Sequence, residues 1–177
     1  FLSGPGWHDR LVQARRQLDA GALDGQVTPL ADLLAVPGAS QVVESMRRIE
    51  SHMAHKLWAT AMEEAYYALG QAPTHLPVHI RIAEILSAED KPQAAIEKYR
   101  AVAETYRIRG ELTRATRITQ QVLRLSPLDV SMRSWLIELL VEQHKIEEAL
   151  TQFADLADTY YQLADLETAR NTYADAL

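Results

Sequence analysis

The chain has 177 residues, 47% of them apolar, a formal net charge of −6 and no cysteine. An acidic surface neutralises phosphates poorly, which excludes general nucleic-acid binding, and without cysteine there is neither a disulfide framework nor thiolate chemistry. No apolar run approaches the ~20 residues that a membrane-spanning helix needs. The opening FLSGPGWHDR lacks the basic-then-apolar order of a secretory leader. These features fit a cytoplasmic protein. The chain has no initiator Met and NTYADAL stops in helical register, so a fragment of a longer protein is expected.

Apolar residues recur at spacings of three and four along the chain, and β-branched alternation is absent, so the predicted fold class is all-α. In chain order the punctuation gives about ten helices: 7–20, 26–36, 39–54, 56–70, 76–89, 92–109, 111–125, 129–143, 146–163 and 165–177. Gly21, Gly70 and Gly110 stand where a helix end favours a left-handed residue. Pro92 suits a first helical turn, whereas Pro73 and Pro127 follow helix ends that they cannot continue.

The stretches AETYRIRGELTRA (103–115) and ADTYYQLADLETA (157–169) share Ala, Thr, Tyr, Leu and Ala at five positions, 54 residues apart. The same shift carries Ala95 onto Ala149, Tyr99 onto Phe153, Val102 onto Leu156, Pro73 onto Pro127, and Ala61 onto Ala115. Spacings of 34 run through Val27, Ala61 and Ala95, and through Ala115 and Ala149. A helix pair repeated in this way has an apolar face that only a neighbouring pair can cover, so the prediction is a stacked array in one domain over 1–177.

Tyr99, Val102, Ala103, Tyr106, Ala115, Val122 and Pro127 follow the spacing of the tetratricopeptide repeat, which the chain resembles most clearly over 76–177. A second copy reads Phe153, Leu156, Ala157, Tyr160, Ala169, Tyr173 and Ala176, and a third reads Ile82, Ala83, Leu86, Ala95, Tyr99 and Val102. The resemblance implies a right-handed α-α superhelix in which small Ala residues let paired helices cross closely. Residues 1–75 match poorly: Arg15 and Ile49 stand where a small residue is expected, implying helices that pack more loosely or cap the array. Helices 92–109 and 146–163 each serve two pairs, so the unit is expected to be three helices in 54 residues.

Candidate chemistry is sparse. His52/His55 and His75/His79 have metal-ligand spacing but no third ligand, so they read as exposed or groove-facing histidines. No Gly-rich phosphate loop or nucleophile elbow occurs. Met46, Met53 and Met62 read as core. The expectation is a non-enzyme without cofactor or metal.

Charge is unevenly spread. Residues 95–134 carry eight Arg/Lys against four acids, net +4, whereas 138–177 carry two against nine, net −7. In tetratricopeptide arrays the inner wall comes mainly from the first helix of each pair. The resemblance therefore implies a groove lined by Arg100, Glu104 and Arg107 on helix 92–109, Ile80 and Glu84 on 76–89, and Asp158 and Tyr161 on 146–163. Arg100 and Arg107 are two turns apart on one face and suit acidic side chains or a peptide carboxylate. The Asn/Lys clamp by which some members grip a terminal carboxylate is absent, since the single Asn171 falls in a second helix. The expected function is a scaffold that binds a protein or peptide segment, with no nucleic-acid or membrane partner. The alternatives are a regulatory arm of a signalling or transcription protein, or self-association through uncapped ends.

Overall fold

The computed structural model describes residues 6, 9, 10, 13 and 39–175. Across residues 39–175 the secondary structure is eight α-helices with no strand. They are α1 (Ala39–Ala54), α2 (Trp58–Gln71), α3 (Leu76–Ala88), α4 (Pro92–Ile108), α5 (Leu112–Leu125), α6 (Val130–Glu142), α7 (Ile146–Gln162) and α8 (Leu166–Asp175). The helix expected over 26–36 lies outside the described residues, as does most of the one over 7–20.

The connections explain the 54-residue period. Five of the seven are tight turns whose central residue is left-handed: Lys56 (φ 58°), Asp90 (59°), Gly110 (73°), His144 (59°) and Ala164 (63°). Each closes with the same two bonds. The left-handed residue's N–H donates to the carbonyl three back, at 2.8–3.3 Å, and the next N–H donates to the carbonyl five before it, at 2.9–3.0 Å. That pair of bonds satisfies two otherwise orphaned helix carbonyls. Lys56, Gly110 and Ala164 are 54 apart, as are Asp90 and His144. The two remaining connections, Ala72–His75 and Ser126–Asp129, contain Pro73 and Pro127, have no left-handed residue, and are again 54 apart. One unit is therefore three helices joined by two left-handed turns and followed by one proline turn.

An alanine stands five residues after each of these five left-handed positions: Ala61, Ala95, Ala115, Ala149 and Ala169. All are buried. Each closes the first helical hydrogen bond of its helix, at 2.9–3.1 Å. The chain has just reversed there, and only a methyl fits between the returning helix and its predecessor. Spacings of 34 and 54 both follow from this one constraint.

Two buried clusters hold the array. Val42, Ile49, Ala61, Ala65, Ala68, Val78, Ile82 and Ile85 form the first, and Tyr99, Val102, Ala103, Tyr106, Ile118, Val122, Leu136, Leu139 and Leu140 lie within the second. α3 joins them, giving Val78, Ile82 and Ile85 to one and Leu76 and Ala83 to the other. Fully burying one such Leu, Ile or Val contributes about 1.5–3 kcal/mol. Met46, Met53 and Met62 pack on the first cluster, as expected of core residues.

Three local expectations are corrected. Ile49 is fully buried and not loosely packed, because its cluster takes the small residues from α2 instead, as Ala61, Ala65 and Ala68. Gly70 lies inside α2 with no positive φ, and helix formation simply continues to Gln71 before Pro73 intervenes. His75 is buried, 2% exposed, at the N-cap of α3, and is not a surface histidine.

Candidate functional site

The expected groove residues of α4 and α7 occupy equivalent places in the repeat. Glu104 corresponds to Asp158 and Arg107 to Tyr161, each pair 54 apart on the last turns of its helix. Arg107 donates to Glu104 twice, from Nε at 3.1 Å and Nη2 at 2.8 Å. This fork holds the Glu104 carboxyl below the ordinary carboxylate range. The same bond, helped by Glu142 and Glu138 of α6, raises the affinity of the Arg107 guanidinium for its proton.

Arg100 is half-exposed and pairs with Asp129. Asp129 also caps α6 by accepting from the Met132 N–H at 3.0 Å. Arg100 therefore ties α4 to the start of α6, as well as facing solvent. Glu84 accepts from Arg81 at 2.7 Å, and Arg81 reaches on to Glu50 of α1 at 2.6 Å. Beside them, burial first and the Glu84 charge second push the Tyr99 hydroxyl up to about 12. Ile80 is half-buried on the second cluster. Asp158 accepts from the Tyr173 hydroxyl of α8. The side chain of Tyr161 makes no hydrogen bond among the described residues and is 66% exposed, and Ile108, at the end of α4, is 73% exposed.

The positive band is thus largely engaged within the fold. Sequence reasoning counted Arg114 in the band but missed its burial: 7% exposed, it lies 2.5 Å from Glu111, 1% exposed, with its guanidinium 5.7 Å from the centre of the Tyr106 ring. The i,i+3 spacing right after the Gly110 turn was the only available sign. Missed as well was a cleft of about 300 Å³ between the α2–α3 connection and α4, bounded by Thr74, Leu76, His79, Lys98, Ala101 and Arg109. Among the described residues no three His, Asp or Glu side chains converge as metal ligands, and no helix is long and apolar enough to cross a membrane.

Fold and surface together define an all-helical array built on a three-helix unit. No family model and no curated protein matches the chain. The solved structure titled "Functional Characterization of Pseudomonas Aeruginosa pilF" is similar at 17% identity, over 95% of this chain and 89% of that one. Its TM-score of 0.30 is too low to bear on fold or function.

Proposed function

We propose that this chain is a tetratricopeptide-like interaction scaffold whose concave face holds a peptide or helical segment of a partner protein. The observation that carries the reading is a row repeated on α4 and α7, half-exposed on α4 and exposed on α7. Glu104 and Asp158 are acidic at one equivalent position, and Arg107 and Tyr161 offer a guanidinium and a bare aromatic ring at the next. Arg and Tyr are residue types that concentrate binding energy at interfaces. Tyr161, 66% exposed and without a side-chain hydrogen bond among the described residues, has no evident structural task to explain it.

Affinity capture from the protein's own cell extract, with bound proteins identified, tests this. Tyr161→Ala is the clean variant, since Arg100→Glu would also set a like charge against Asp129. A protein retained by the wild type and lost by Tyr161→Ala at unchanged melting temperature supports the scaffold. Equal retention by both rules out this row as the contact surface.

A further inference from the structure

The second copy of the repeat completes a polar network that the first copy leaves open. At the α5–α6 junction Arg133 donates to the Pro127 carbonyl at 3.0 Å, to Gln152 Oε1 at 3.2 Å and to Asp155 Oδ2 at 3.4 Å. Gln152 Nε2 donates to the same Asp155 oxygen at 2.9 Å. A cation on α6 is thus met by a carboxylate from α7.

Fifty-four residues earlier, Pro127, Arg133, Gln152 and Asp155 become Pro73, His79, Lys98 and Ala101. The first bond is kept: His79 Nε2 donates to the Pro73 carbonyl at 2.8 Å. The carboxylate is gone, replaced by the methyl of Ala101, and a lysine stands in place of the glutamine. What remains there is the 300 Å³ cleft. Lys98 and Arg109 bring positive charge to it, and no acidic residue lines it. Arg109 is positioned by donating to the Thr74 carbonyl at 3.3 Å, while the Lys98 ammonium has no ion pair among the described residues. Apolar walls from Leu76 and Val102 lower the local dielectric and strengthen any charge pair formed inside.

We propose that this cleft binds the side-chain carboxylate of an aspartate or glutamate in an extended segment of a partner protein, replacing the one that the second copy supplies as Asp155. Charge complementarity selects the ligand, and the filled copy shows the group that the position accepts. The inference deepens the scaffold reading and rests on it only for the partner being a protein.

The test is a titration of the isotope-labelled full chain with the capped peptide Gly-Ser-Asp-Leu-Ser-Gly, followed by the backbone amide signals of Thr74, Ala101, Thr105 and Arg109. Saturable shifts are expected, with affinity at least ~10-fold weaker for the peptide carrying Asn in place of Asp. Ala101→Asp, which restores the missing carboxylate at an exposed position, is expected to weaken the Asp peptide by a similar factor. Should Ala101→Asp lose its helical circular dichroism, Lys98→Gln, copying Gln152, carries the same direction of effect. Absence of saturable shifts, equal binding of the Asn peptide, or full binding by the folded variant overturns the proposal. Tighter binding of inorganic phosphate than of the peptide also overturns it, since the site would then be a general anion pocket. Tyr161→Ala is expected to leave this titration unchanged. Failure here alongside Tyr161-dependent capture removes the cleft and keeps the scaffold, and the converse result removes the row but keeps the cleft.

Discussion

Glu111 and Arg114 form a pair whose burial sets the size of its effect. Their side chains are 1% and 7% exposed, 2.5 Å apart, and the guanidinium also faces the Tyr106 ring. Removing one member, as in Glu111→Leu, leaves a cation inside the fold and is expected to cost about 3–5 kcal/mol. In a chain of this length 1 kcal/mol moves the melting temperature by about 2–4 °C, so the fall is on the order of 10 °C. The double variant Glu111→Leu/Arg114→Met removes both charges and keeps similar volume, so it should be more stable than either single variant. The comparator is Arg47→Gln, which breaks the ion pair with Glu44, of the same i,i+3 spacing, whose side chains are 77% and 54% exposed. That change should cost under about 0.5 kcal/mol. Urea unfolding followed by circular dichroism and by tryptophan fluorescence gives all four values. A single variant as mild as the surface comparator, or a double variant whose cost is the sum of the singles, refutes the reasoning.

Other expectations follow from the turns and the core. Ala164→Gly should raise stability by about 0.5–1 kcal/mol, because relief of the left-handed strain exceeds the added chain entropy of glycine, and Gly110→Ala should lower it by a similar amount in thermal melts. Ala115→Leu adds bulk where α5 leaves the Gly110 turn, and should cost about 1–3 kcal/mol by the same assay. Tyr99 should titrate near 12, seen as the difference between wild-type and Tyr99→Phe absorbance at alkaline pH. The unfolded chain loses that proton near 10, so this contribution is intact below pH 10 and is lost as pH rises through about 12. A difference curve centred at 10 contradicts the burial of the hydroxyl.

Much of the helical order was legible because it rests on spacing. The buried alanines after each turn are the residues that carried both sequence periods, and their role is steric and local. The three-helix unit was legible too, from Pro73 and Pro127 and from the doubled use of the helices around Tyr99 and Phe153. The left-handed turns at Lys56, Asp90, His144 and Ala164 were not, since residues other than glycine adopt that conformation only when the closing hydrogen bonds and packing impose it. For the candidate site, exposure of Tyr161 could be anticipated because the repeat pattern gives it no packing role. Which cations were already engaged could not. Arg100–Asp129 joins residues 29 apart, and Arg133–Asp155 residues 22 apart, so both pairs depend on how the helices stack. The open cleft likewise depends on how the α2–α3 connection packs against α4, which spacing alone does not give.

Site-specific photo-crosslinking tests the scaffold reading most directly. A benzophenone amino acid placed at Tyr161 is compared in living cells with the same group at Gln120, an exposed position on α5. The scaffold account predicts a single identified protein crosslinked from 161 and absent from 120, with the crosslink in that partner mapping to one short segment. No adduct from 161, or the same adducts from both positions, contradicts it.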